Sequence, residues 1–411
     1  MVGDRWLGRP SRTLAQAFDP RDNGIGFMRL VLAGLVIVGH AWPLGGYGAG
    51  PLAVWSHGAV GFGSLAVSGF FVLSGFLIAR SFFGRSSALR YLWHRCLRIL
   101  PGFWVCLLVT AAILGPGIWA LSAAGSLSGY WTPPTDAPLT YVTDNWWLTI
   151  RQSGIAGLLS DVPFPNVING SLWTLVIEFK AYLALAAVGL VAERLRRPAV
   201  VPLTALGLWL VHVAVVARPD LKAVATLFGG EEPLRLAVDF AFGAAAWTLR
   251  NRIPMDDRLG LVASLLLVAV FPVGQYLLVG SPILAYALLW VACRSPIRSF
   301  DRRADLSYGT YLYAFPIQQA LVVAGVSRLG PIPFILAAFA FTLPLAGLSW
   351  RTVERQALRM KGWRPGRVIG GPERRRVASR ATAGVSQATA DPASTSRPTP
   401  IDARPRSADR G

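Results

Sequence analysis

The chain has 411 residues, 53% of them hydrophobic and only 15% charged, with positive mean hydropathy and a formal net charge of +19. That balance excludes an ordinary soluble enzyme and fits a polytopic membrane protein. Nucleic acid is not the partner the charge implies, because the arginines cluster in every second connection between apolar runs, as cytoplasmic loops require.

Residues 1–26 are polar and arginine-bearing and read as a cytoplasmic segment without a signal-peptide pattern. Apolar runs follow near 27–44, 66–83, 99–117, 171–192, 199–217, 233–249, 258–273, 275–293, 305–325 and 332–350. They predict an all-α, polytopic transmembrane bundle of about ten spans in the lipid bilayer, with both termini cytoplasmic. The basic connections "RSFFGRSSALRYLWHRCLR", "ERLRRP", "RNRIPMDDR" and "CRSPIRSFDRRAD" fall inside, whereas 45–66 carries no Arg or Lys.

The longest connection, 116–170, is predicted to be a functional outer loop. Its stretch "DNWWLTIRQSGIAGLL" reads as interfacial or re-entrant. Residues 351–411 form a basic tail. There "ERQALRMKGWRPGR" suits anionic headgroups, and the Ala/Ser/Thr/Pro/Arg-rich remainder is predicted to be disordered. Cys96, Cys106 and Cys293 lack the paired spacing of a disulfide framework or a metal site. Chemistry is therefore expected inside the membrane part.

Ionisable groups within spans default to function. In "RLVLAGLVIVGH", Arg29 and His40 share a helix face about 16 Å apart along the axis. Depth arithmetic places His40 and Glu178 at a similar height, each about 9–10 Å below the outer surface. A neutral imidazole can take a proton from a hydroxyl, and a carboxylate can orient its ring. The residues alone equally allow a backbone-satisfied histidine and a glutamate bonded to a neighbouring hydroxyl. Arg95 and Arg98, at i and i+3, share a face and suit phosphate, although positive-inside topology also explains them. The small residues Gly61, Ser64, Ser68 and Gly75 predict close helix packing, with Ser74 lining a cavity. Asp239 is expected to pair with Arg235.

Six blocks in order resemble the integral-membrane acyltransferase family 3. They are Arg29-x10-His40, "FFVLSGFLIARSF", "HRCLRILP", "NGSLWTLVIEFKAYL", "LSYGTYLYAFPIQQ" and "LSWRTVERQ". The resemblance implies a membrane O-acyltransferase domain over 27–350 that moves an acetyl group from cytoplasmic acetyl-CoA to a carbohydrate or glycolipid hydroxyl of the bacterial envelope. It implies a multi-pass protein of the inner membrane, with acyl-CoA as co-substrate and no metal or cofactor. His40 would be the catalytic base with Glu178 as its partner, and Arg29, Arg95 and Arg98 would bind the donor along a path leading to His40. Ser74, Trp173, Tyr311, Gln318 and Gln319 would line the cavity or the acceptor site. Ser68 departs from the family's usual Asp and Ala314 from its usual His, and no serine-hydrolase-like outer domain is attached. The alternative is a proton-coupled transporter or flippase of an envelope lipid or acidic metabolite, against which the lack of repeated halves argues.

Overall fold

Each of the apolar runs is a helix in the computed structural model, which describes residues 12–85, 87–122, 126–298, 300 and 304–362. In chain order these are α1 (Ile25–Gly45), α2 (Phe62–Phe83), α3 (Ala88–Val109), α4 (Trp173–Arg194) and α5 (Val200–Ala217). There follow α6 (Glu231–Thr248), α7 (Asp257–Ala269), α8 (Tyr276–Arg294), α9 (Ser307–Val323) and α10 (Pro331–Ser349). The chain divides into Met1–Gly362 and Trp363–Gly411. The second unit, with the tail expected to be disordered, lies outside the described residues, as does the start of the N-terminal segment.

Seven of the ten, α1 to α5, α8 and α10, are long and apolar enough to cross a membrane, and the chain is a multi-pass membrane protein. The expectation of about ten spans exceeds that number for physical reasons. Helix α6 carries Glu231, Glu232, Arg235 and Asp239. Helix α7 has 13 residues, about 20 Å, which is short of a hydrocarbon core of about 30 Å. The 17 residues of α9 are buried on nearly every face, so this helix is the core around which others pack.

Helix α3 starts well before the expected span. Ser87 caps it by accepting from the Arg90 amide, and it runs on through a π-helical turn to Leu121. Hydropathy hides its first turns because they carry Arg90, Arg95 and Arg98. The described residues of the 116–170 connection are folded. They hold helices Leu127–Trp131 and Pro138–Asn145, and Trp146 stacks on Trp104 of α3 with centroids 4.8 Å apart. Past Asn145 the expected interfacial segment is irregular backbone, with Ile155, Leu158 and Leu159 buried.

Lipid tails are as apolar as leucine, so close backbone approach rather than hydrophobicity holds such helices together. A Cβ at Gly75 of α2 would strike the Phe240 carbonyl of α6, and one at Gly243 of α6 would strike the Val72 carbonyl of α2. Ser68, on the same predicted stripe, accepts from Arg235, which lies 3.6 Å from Asp239 as expected and also bonds Glu232. Gly61 and Ser64 instead begin α2, with the Ser64 hydroxyl accepting from the Gly61 amide at 3.0 Å. Gly39 lets α1 meet α2 at Gly63. On the arginine-bearing side, β1 (Arg12–Thr13) pairs antiparallel with β2 (Pro254–Met255), and Phe18 packs edge-on against Phe76.

Candidate active site

A cavity of about 350 Å³ opens between α1, α2, α3, α4 and α9. Val67, Phe70, Ser74 and Leu77 line it from a single face of α2, at helical spacings of three and four. Thr174, Glu178 and Tyr182 line it from α4, every fourth residue. Arg29, Arg95 and Arg98 gather at one end with Asp305, Tyr308 and Lys361. In the sequence these three arginines lie on two distant segments; the fold brings them to one cavity.

Asp305 organises that end of the cavity. One of its oxygens accepts from Arg29 Nη1 at 2.7 Å and from Arg98 Nη2 at 2.6 Å. The other accepts from the Ser307 hydroxyl at 2.5 Å. Burial pushes this carboxyl up, but the two guanidiniums and the hydroxyl outweigh it and hold the group well below the usual carboxylate range. Arg95 stands apart from this cluster: its guanidinium lies 5.9 Å from the Tyr91 and Tyr182 ring centroids, and its Nε is buried with no hydrogen-bond partner among the described residues. Asp305 went unnoticed in the sequence because it sits among the arginines of "FDRRAD", where a lone carboxylate looks like solvated charge.

Glu178 does not meet His40. Its carboxylate accepts from the Ser74 hydroxyl at 2.9 Å and from the Tyr182 hydroxyl at 2.5 Å, both inside the cavity. The expected ring partner is thus the neighbouring-hydroxyl alternative instead, because equal depth fixes height but not direction around the helix axis. Tyr182, four residues on, was the overlooked partner.

His40 does not line the cavity either. Its ring faces Gly63, the next turn of α2 beyond Val67, and stands edge-on to Phe315, the next turn of α9 beyond Tyr311. It therefore lies about one helical turn, some 5 Å, past the end of the cavity away from the arginines. Tyr311 stands at that end, its hydroxyl donating to the Ser171 carbonyl at 3.1 Å and bonding Thr174, with Phe70 edge-on to its ring. The cavity that holds Arg29 ends there, short of His40. The His40 Nδ1 is buried with no hydrogen-bond partner among the described residues.

The remaining expected residues divide. Ser74 and Tyr311 line the cavity. Trp173 does not; it is 38% exposed on the outside of α4. Gln318 and Gln319 are fully buried on the His40 side of Tyr311. Gln318 donates to the Ile37 carbonyl of α1, and Gln319 donates to the Phe164 and Val167 carbonyls of the loop, which leaves both amide oxygens unpartnered among the described residues. Pro316 has no N–H, so the Leu312 carbonyl needs another donor. Asn169 of the loop supplies it at 2.9 Å, which ties the loop to α9 beside His40.

A second, wider cavity of about 870 Å³ adjoins the first and shares Leu77, Arg95 and Lys361 with it. Arg80, Arg85, Arg90 and Arg250 also line it, and none of its lining residues among those described is acidic. Arg85 is engaged by Glu193 through two bonds of 2.9 and 2.7 Å.

A family model described as an acyltransferase domain matches residues 22–351. The chain belongs to this acyltransferase family. The acyltransferase is 26% identical over 347 residues to an O-acetyl transferase of Shigella phage Sf6, covering 80% of this chain and 94% of that protein. It is 27% identical over 390 residues to nodulation protein 10 of Rhizobium leguminosarum bv. viciae, covering 82% and 94%. No solved structure gives a significant match. The match takes in His40, Glu178, Asp305 and every arginine of the first cavity, whereas Lys361 lies past its end. As an acyltransferase the protein is an enzyme, and the transporter alternative is set aside.

Proposed function

We propose that the protein transfers an acetyl group from acetyl-CoA to a hydroxyl of an envelope carbohydrate or glycolipid, from the bacterial inner membrane, with both termini cytoplasmic. The observation that carries this reading is the alignment of a basic, two-chambered cavity with His40 just past its far end. The wide chamber has the size and charge for the 3′-phosphorylated nucleotide of the donor, with Arg80, Arg90 and Arg250 offering guanidiniums to phosphate. The narrow chamber suits the thin pantetheine arm, whose amides can bond to Glu178 and Tyr182.

His40 acts as general base. Its neutral imidazole takes the proton of the acceptor hydroxyl as that oxygen attacks the thioester carbonyl. The tetrahedral intermediate then collapses, the C–S bond breaks, and the imidazolium returns its proton to the departing thiolate. For this the barrier of Tyr311, Thr174 and Phe70 must open by about one helical turn of reach. Gln318 and Gln319, each with an unpartnered amide oxygen on that side, are the acceptor-facing polar groups.

The test uses His40→Gln in purified full-length protein and in cells. Acetyl-CoA binding is retained, while acetyl groups on envelope glycans, read by mass spectrometry, fall to the level of a strain lacking the chain. Normal glycan acetylation at unchanged protein level would remove His40 from the chemistry.

A further inference from the structure

Lys361 stands where the two cavities meet. With Arg95 and Leu77 it lines both of them. It belongs to the turn Met360–Gly362, beyond residue 351 where the family match ends. That turn is pinned to the start of α3. Trp93 Nε1 donates to the Met360 carbonyl at 3.2 Å, and His94 Nε2 lies 3.2 Å from the Lys361 carbonyl oxygen. Ala357, in the short helix Arg355–Arg359 just before it, is buried. Residues up to 362 are thus folded against α3, although the sequence suited them to lipid headgroups.

The side chain is half-buried and forms no ion pair with a carboxylate among the described residues. Arg95 and Arg98 act on it with like charge; Asp305 acts the other way but is already held by Arg29 and Arg98. Such a cation is held against repulsion unless an anion enters between it and Arg95. In coenzyme A the diphosphate lies between the nucleotide and the pantetheine arm, and Lys361 with Arg95 lies between the wide chamber and the narrow one.

Resting on the donor reading above, we propose that Lys361 and Arg95 clamp the donor's diphosphate at the neck between the chambers, so that a turn outside the family-matched core completes the donor site. A lysine supplies a compact charge with three donors, and a guanidinium opposite it supplies the fork.

The test measures binding of acetyl-CoA and of 3′-dephospho-acetyl-CoA to the full chain in detergent. Lys361→Gln weakens both by the same factor, about tenfold for one charge-assisted contact, and Lys361→Arg restores most of it. Arg250→Gln weakens acetyl-CoA alone, because it faces the 3′-phosphate. The sequence has three lysines, so Lys180 and Lys222 serve as internal references for amine labelling of the wild type. Acetyl-CoA protects Lys361 from labelling and acetyl-pantetheine does not, a readout that holds even where Lys361→Gln fails to fold. Equal protection by the two probes, or unchanged affinity in Lys361→Gln, overturns the clamp alone. A wild type that binds no acetyl-CoA overturns the donor reading and the clamp with it.

Discussion

The Phe315 ring stands edge-on to the His40 imidazole, their centroids 5.2 Å apart and their planes at 74°. Phe315 is one turn along α9 from Tyr311, so a single helix both supports the imidazole and closes the cavity leading to it. Residues of α9 are buried on nearly every face, Tyr311 and Phe315 among them.

Loosening the barrier should expose His40. Tyr311→Phe removes the hydroxyl that donates to the Ser171 carbonyl and bonds Thr174. One lost hydrogen bond of about 1 kcal/mol corresponds to about a fivefold larger open population. Diethyl pyrocarbonate should therefore modify His40 about that much faster in Tyr311→Phe. An unchanged rate, followed by peptide mass spectrometry, would show that Tyr311 does not guard the ring.

The clamp on Asp305 predicts a specific pH dependence. Its folded pKa is depressed, so its contribution to stability is fully present above the unfolded carboxyl's value of about 3.9 and is lost as pH falls through the folded value. Asp305→Asn should lower stability by about 3–5 kcal/mol at neutral pH, because two half-buried guanidiniums lose their counter-charge. The gap from wild type should stay constant from neutral pH down to about pH 5 and narrow only below about pH 4. Thermal unfolding in detergent across that range reads it directly.

Arg235 and Asp239 should behave as a unit. Arg235→Leu leaves a fully buried carboxylate without its guanidinium and should cost about 3–5 kcal/mol. Arg235→Leu combined with Asp239→Leu should cost less than Arg235→Leu alone, since no uncompensated charge remains. Additive losses in the double variant would mean that the two side chains are not coupled.

Helix α2 meets α6 backbone to backbone, which leaves no room for side chains at the crossing. Gly75→Leu and Gly243→Leu should each prevent accumulation of folded protein, as judged by detergent size-exclusion chromatography. Even Gly75→Ala should cost about 3 kcal/mol or more, because its Cβ would meet the Phe240 backbone carbonyl and not a side chain that can move aside. At Gly61, where an added Cβ meets nothing, alanine should be tolerated.

The glycan acetylation assay and the donor-binding assay separate two levels of failure. His40→Gln should abolish the first and spare the second, since the imidazole lies outside the donor cavity. Loss of both together would point to a folding defect in that variant.

The sequence by itself determined the class, the helix positions and the family, because about 20-residue apolar runs and arginine-rich connections are local patterns that lipid enforces directly. Through the resemblance it also grouped Arg29, Arg95 and Arg98 as donor-binding residues, and all three line one cavity. Tertiary structure alone decided their partners. Helical rise gives a residue's depth, but which neighbour it faces depends on how helices rotate against one another. Close approaches such as Gly39 on Gly63 and Gly75 on Phe240 set that rotation. For that reason Glu178 found Ser74 and Tyr182 instead of His40, and Asp305, plain surface charge in the sequence, became the anchor for two arginines.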